Sequence, residues 1–178
     1  MIGDIAGMRL AGVASYAPPD VWSNARVAAR LRLERMRLSA KRRAAGGGAL
    51  DAEEAKLFQT SDRWVRRFIG FEGRRFNREG EGTIDLATRA SRLLLDRTGI
   101  DAGSIDAIVF GSVTPSHLYS PPDASLLQQA LGIPVWRDGA PRDLKGADVS
   151  LACCSWVASL AFSYALVRSG LARRVLLV

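Results

Sequence analysis

Two cysteines and one histidine are all that 178 residues contain of the side chains that most often bind metals or form disulfides. Cys153 and Cys154 are neighbours, which makes them poor disulfide partners, and there is no third thiol. A fold independent of disulfides is expected, and with it a reducing, cytoplasmic setting. A single histidine and no paired-cysteine spacing leave no zinc-finger pattern, so no metal is expected. No apolar run reaches the roughly 18 residues that a membrane-spanning helix needs, and Asp4 and Arg9 interrupt the N-terminus. Neither a secretory signal nor a membrane span is expected. No internal repeat is visible.

Apolar residues make up 48% of the chain, enough for a globular fold with a sizeable core. The formal net charge is +7, unevenly spread. Arg26, Arg30, Arg32, Arg35, Arg37, Lys41, Arg42 and Arg43 crowd one segment, opposed there only by Glu34. Arg63, Arg66, Arg67, Arg74 and Arg75 form a second cluster. Such charge suits a nucleic acid, an anionic cofactor or an acidic protein. No zinc spacing or RNP-type aromatic motif supports nucleic acid, and the first cluster reads as a solvated basic helix.

Met8 to Tyr16 reads as a buried strand ended by Pro18 and Pro19. Ser23-Asn24 signals the start of the basic helix, and Gly46-Gly47-Gly48 its end. A short helix is expected from Asp51 to Phe58, then a segment capped by Thr60-Ser61-Asp62 around Trp64. Gly70, Gly73, Gly80 and Gly82 make the following stretch loop-rich. Thr83 caps a helix with apolar positions at Ile84, Leu86, Ala87, Ala90, Leu93 and Leu94, stopping at Gly99. Ala107 to Val113 is a continuous apolar strand, of the kind buried on both faces. A helix over Asp123–Leu131 ends at Gly132. A third strand runs from Asp148 to Ala152, a helix from Ser155 to Ser169 ends at Gly170, and Arg174–Val178 opens another strand. This alternation predicts an α/β fold whose sheet is mixed but mainly parallel, with covering helices.

The two cysteines sit where the third strand turns into a helix. A helix N-terminus points free N–H groups and a positive dipole end at such a turn, stabilising thiolate charge or an oxyanion on an acyl group. The competing reading makes both cysteines small buried hydrophobes.

DVSLACCSWVASL followed by LVRSGLARRVLLV resembles the nucleophile segment of β-ketoacyl-acyl-carrier-protein synthase III and its thiolase-superfamily relatives. RLAGVASYAPPDVWSN, TSDRWVRRFIGFEGRRF, DLATRASRLLLDRTGIDAGSIDAIVFGSVTP and SPPDASLLQQALGI resemble further segments of that family, in its order. The resemblance implies a thiolase-like fold, here its N-terminal half over residues 1–178, with a basic helical insert at about 32–57 and the C-terminal half absent. In the family an Asp begins the strand and the acyl-accepting Cys lies five residues on, which points to Cys153 counting from Asp148. Cys154, Ser155 and Trp156 then stand where the family has a small residue, a Gly and an aromatic.

Trp64 matches the family's tryptophan that stacks on the adenine of coenzyme A, the alternative being a packing aromatic. Phe68 replaces an Arg that meets coenzyme A phosphate in the family, and Arg66 or Arg67 is a substitute, Arg67 being the residue assigned to coenzyme A. His117 does not map to the family's catalytic His and reads as a surface or interface residue. The resemblance implies an acyltransferase of the condensing type, in fatty acid or polyketide biosynthesis. It takes acyl-CoA or acyl-ACP as substrate and binds no permanent cofactor. Its partners are the acyl carrier protein and either a homodimer mate or a complementary C-terminal half, with no nucleic acid. The isolated chain, lacking the family's His and Asn, is expected not to condense. Two alternatives remain: an acyltransferase of secondary metabolism that forms esters or amides, and a non-catalytic partner subunit.

Overall fold

The computed structural model describes residues 4, 5 and 7–178. Two compact units divide it: residues 18–78, and a larger unit of residues 79–178 together with the first seventeen positions. In the larger unit β1 (Asp4–Ile5) pairs antiparallel with β2 (Met8–Arg9). The expected strand over Met8–Tyr16 stops at Arg9. From Leu10 to Ala17 the chain has no ladder partner among the described residues, and Leu10 and Val13 are exposed.

The smaller unit starts with β3 (Asp20–Ser23) and α1 (Asn24–Ala44). The Ser23 hydroxyl caps α1 by accepting from the Arg26 N–H at 3.2 Å. After the glycine break, α2 (Ala52–Lys56) begins with a capping box in which Asp51 and Glu54 each accept the other's backbone N–H. Ser61 caps α3 (Asp62–Phe68), accepting from the Trp64 N–H. Part of the segment expected to be loop-rich is instead β4 (Gly73–Phe76), antiparallel to β3 with Trp22 opposite Arg74. The Trp22 ring stacks on Phe76 at 4.5 Å, and the Arg26 guanidinium lies over the Trp22 ring at 4.1 Å. Asn24, almost fully buried, joins these pieces: its Nδ2 donates to Asp62 Oδ1 at 3.0 Å and to the Phe71 carbonyl at 2.9 Å.

The larger unit resumes with α4 (Thr83–Thr98). Gly82, not Thr83, occupies the cap position, and the Asp85 carboxylate closes the turn by accepting the Gly82 N–H at 2.8 Å. Then come β5 (Ala107–Gly111), α5 (Asp123–Leu131), a small antiparallel pair β6 (Trp136–Arg137) and β7 (Ala140–Pro141), β8 (Lys145–Val149), α6 (Ser155–Arg168) and β9 (Val175–Leu177). Gly99 and Gly132 end α4 and α5 in the left-handed region, at φ 65° and 68°.

The main sheet is parallel, in the order β8-β5-β9. β5 is its centre and is buried on both faces, as its apolar run requires. Ile108 and Phe110 pack with Ala87 of α4, Ala124 and Leu127 of α5, and Leu176 of β9. The alternate residues Ala107 and Val109 pack with Leu166 of α6 and with Ala172. The sheet thus has α4 and α5 on one side and α6 on the other, an α/β layer arrangement. Among the described residues no helix is long and apolar enough to cross a membrane.

Candidate active site

β8 sets the position of the cysteine turn. Asp148 does not begin the third strand; it is the fourth of five residues in β8, because the ladder with β5 already starts at Lys145. Its carboxylate reaches the N-terminus of α5, where Oδ2 accepts from the Asp123 N–H at 2.7 Å and Oδ1 from the Ala124 N–H at 2.9 Å. A carboxylate is well placed there, against unpaired N–H groups and the positive end of the helix. Asp123, itself buried, accepts the Ser116 N–H with both carboxylate oxygens at 3.1 and 3.2 Å. This bond holds the loop after β5. His117 lies in that loop and is exposed.

Beyond β8 the chain turns sharply. Ala152 takes φ 48°, in the left-handed region that a residue with a Cβ seldom adopts. Ala152–Cys154 form one 3-10 turn, and α6 follows directly with Cys154 at its cap position. The Ser155 hydroxyl locks the turn, accepting from the Leu151 N–H and donating to the Ala152 carbonyl, both at 2.8 Å. Ser155 is 4% exposed, so this hydroxyl does the work of the turn out of contact with water. The residue that departs from the family's glycine is thus integral to the local geometry.

Gly111, the last residue of β5, lets α6 start where it does. A Cβ added there would lie 2.7 Å from Ser159 Oγ and 3.1 Å from the Ser155 carbonyl oxygen. The thiols of Cys153 and Cys154 are both free and exposed, which excludes the reading of two buried hydrophobes. Successive side chains on a three-residue turn point about 120° apart, so the two thiols face different directions.

Trp64 and Arg67 belong to α3 of the smaller unit, whereas Cys153 belongs to the larger one. Trp64 is 51% exposed, its ring tilted against Phe68 at 5.6 Å. It borders an open pocket of about 440 Å³ lined also by Lys56, Gln59, Thr60 and Ser61. The Arg67 guanidinium lies 5.6 Å over the Phe68 ring and has no acidic partner among the described residues. Arg66 differs: its Nε donates to both Asp62 oxygens, at 2.8 and 3.0 Å, and its Nη1 meets Glu72. Donating to the Asp62 carboxylate, and then to that of Glu72, raises the Arg66 pKa above its ordinary value. Asp62 in turn is held below the usual carboxylate range, first by the Asn24 amide and then by Arg66.

In the sequence Asp148 stands out only by its spacing from Cys153; its bond to α5 and the anchoring role of Asp123 are visible only in the fold. Asp148 and Asp123 stand 25 positions apart, and no local pattern announces a hydrogen bond of that range.

No family model matches the chain. Among curated proteins it is 34% identical over 128 residues to a β-ketoacyl-acyl-carrier-protein synthase III of Aliarcobacter butzleri, covering 72% of this chain and 36% of the relative. It is 38% identical over 130 residues to one of Cereibacter sphaeroides, covering 72% and 37%. Among solved structures it superposes on the synthase III of Thermus thermophilus with a TM-score of 0.65 and 28% identity, covering 92% of this chain and 39% of that one. The chain therefore spans a little over a third of the length of these relatives. In sequence and in fold it is β-ketoacyl-acyl-carrier-protein synthase III-like, with the α/β architecture of the thiolase superfamily.

Proposed function

We propose that this chain is the acyl-accepting portion of a condensing enzyme of the synthase III type, with Cys153 as the nucleophile. The observation that carries the reading is the turn itself: a free, exposed thiol between a parallel strand and a helix N-terminus, its backbone fixed by Ser155 and Asp148. The Cys153 thiolate attacks the carbonyl carbon of an acyl thioester. Its sulfur forms a new C–S bond, N–H groups at the start of α6 stabilise the oxyanion, and collapse of the adduct breaks the original C–S bond, releasing the carrier as a thiolate that takes back from solvent the proton Cys153 gave up. The donor is acyl-CoA or an acyl carrier protein, with no permanently bound cofactor.

For coenzyme A, Trp64 would stack on the adenine and Arg67 would meet phosphate. Arg67 suits this role better than Arg66, whose guanidinium is already engaged by two carboxylates. Phe68, 67% exposed beside both, adds a second ring face. Residues 1–178 correspond in this reading to an N-terminal thiolase-like half. Carbon–carbon bond formation in the family needs a His and an Asn that this sequence does not supply, so the isolated chain loads an acyl group but does not condense it. A homodimer mate or a complementary half would complete the site, in the cytoplasm.

Incubation with acetyl-CoA, followed by intact-mass and peptide analysis, tests the reading. One acyl group on Cys153 is expected, retained in Cys154→Ala and lost in Cys153→Ser. Loading that disappears only in Cys154→Ala refutes the assignment.

A further inference from the structure

At the end away from the cysteine turn, the parallel sheet carries a group of cations with few counter-charges. Asp106 and Arg174 immediately precede β5 and β9, and Lys145 opens β8. The three strands run parallel, so these residues share one end of the sheet and Cys153 follows the other. The stretch of β8 from Lys145 to Val149 alone sets the two ends about 13 Å apart.

Three chain segments are tied together at this end. Arg142, just after β7, donates from Nη1 to the Pro134 carbonyl at 2.9 Å and from Nη2 to the Ile105 carbonyl at 2.8 Å. Arg137, at the end of β6, donates to the Gly103 carbonyl. The Asp106 carboxylate accepts the Arg173 and Arg174 N–H groups at 2.9 and 3.0 Å. Between the tied segments lies an open cleft of about 370 Å³, lined among others by Asp106, Arg137, Arg142, Asp143, Lys145 and Arg173. Small-ligand sites fall in a range of about 300–1,000 Å³, and this cleft stands at its lower end.

The charges of the cleft do not balance. Arg137 and Arg142 use their hydrogen bonds on neutral carbonyls, and neither meets a carboxylate among the described residues. The Arg173 side chain has no hydrogen-bond partner among the described residues; only its backbone N–H is engaged. Lys145 pairs at 2.7 Å with Asp143, which is 90% exposed. Asp106 has one oxygen committed to two backbone N–H groups. Tying the β6–β7 pair to the sheet needs donors rather than charge, and the Arg173 guanidinium ties nothing. Cations gathered in this way repel one another, a cost that an anion between them offsets.

We propose that this cleft binds a small polyanion of the diphosphate class. Guanidinium groups meet phosphate oxygens two at a time, which suits Arg137, Arg142 and Arg173. Cations contributed by separate segments favour a ligand with two phosphates over one with a single phosphate. The site stands apart from the cysteine turn, so it does not depend on the function proposed above.

The test is a calorimetric titration of inorganic pyrophosphate into the 178-residue chain, with orthophosphate for comparison. Three variants accompany it: Arg173→Glu, Asp143→Asn, and Arg37→Glu on α1, which makes the same charge change elsewhere. Pyrophosphate should bind one to one, at least about tenfold more tightly than orthophosphate. Arg173→Glu should weaken it about tenfold, from one lost contact and new repulsion. Asp143→Asn removes a negative charge from the lining and frees Lys145, so it should tighten binding severalfold. Arg37→Glu should change it by less than about twofold. Arg173→Glu keeps its backbone bond to Asp106, and a far-UV spectrum like the wild type's checks its fold; if it does not fold, Asp143→Asn decides alone. Saturating pyrophosphate should also leave acetyl loading of Cys153 from acetyl-CoA unchanged. The proposal is overturned if pyrophosphate does not bind, if orthophosphate binds as tightly, or if Asp143→Asn binds no more tightly than wild type. It is equally overturned if Arg37→Glu loses as much as Arg173→Glu, or if pyrophosphate blocks loading, which would place the anion where coenzyme A binds.

Discussion

Replacing Gly111 with alanine tests how the cysteine turn is positioned. The added Cβ would stand 2.7 Å from Ser159 Oγ and 3.1 Å from the Ser155 carbonyl oxygen, both inside normal contact distance. Ser159 is fully buried, so its hydroxyl has no open space to swing into, and the Ser155 oxygen is backbone at the very start of α6. Overpacking of this kind costs about 1–3 kcal/mol. The Ser159 hydroxyl is also without a hydrogen-bond partner among the described residues. Ser159→Ala therefore removes a poorly solvated polar group and should be neutral or stabilising by up to about 1 kcal/mol. The two changes must couple, because Ser159→Ala removes the shorter clash and leaves the backbone one. The double variant should be less destabilised than the sum of the singles by about 1 kcal/mol. Urea unfolding reads this directly: with a slope near 2 kcal/mol per molar, a 2 kcal/mol loss moves the midpoint by about 1 M. Acyl loading should follow the same order, slowed in Gly111→Ala and partly restored in the double variant, because Cys153 moves with the start of α6. A Gly111→Ala midpoint within about 0.2 M of wild type, or strict additivity in the cycle, refutes the close approach.

Two further outcomes are expected. Ser155→Ala leaves the Leu151 N–H without its acceptor at the turn and should lower stability by about 1–2 kcal/mol and slow acyl loading; unchanged urea midpoint and loading would show that the turn holds itself. Asp62 carries a depressed pKa in the fold, so the stability it contributes is present above its unfolded value near 3.9 and is lost as pH falls through the lower folded value. Limited proteolysis of residues 18–78 between about pH 6 and pH 2 should therefore show loosening in acid for the wild type and a flatter response for Asp62→Asn, an equally steep response being the refuting result.

How much of this was legible in the sequence depended on the range of the interaction involved. β5 was legible because four consecutive apolar residues must be buried on both faces. The helices α1, α4, α5 and α6 were legible because their starts and stops are written in neighbouring residues, with Ser23 at one end or Gly99 and Gly132 at the other. The strand expected over Met8–Tyr16 failed for the opposite reason. Its apolar residues satisfy the local pattern, but a strand exists only where a ladder partner lies alongside, and among the described residues the ladder ends at the pair Asp4–Arg9. β4 and the β6–β7 pair were missed because four residues and two pairs of two are too short to carry an alternating apolar pattern. Pairing imposed from elsewhere made them strands.

The site divides in the same way. That a thiol stands between a strand and a helix could be read from residues 148–170 alone. What holds that thiol could not, since the restraints come from three separate places. Asp148 fastens the end of β8 to α5, Ser155 closes the turn on itself, and the missing side chain of Gly111 admits the start of α6 against β5. Each restraint fixes a different degree of freedom of one short turn: its entry, its curvature and its depth. The turn pays for this in the left-handed backbone at Ala152, which persists because the three restraints over-determine it. A serine in place of the family's glycine is then consistent with a working nucleophile turn, since Ser155 adds two hydrogen bonds that a glycine could not make.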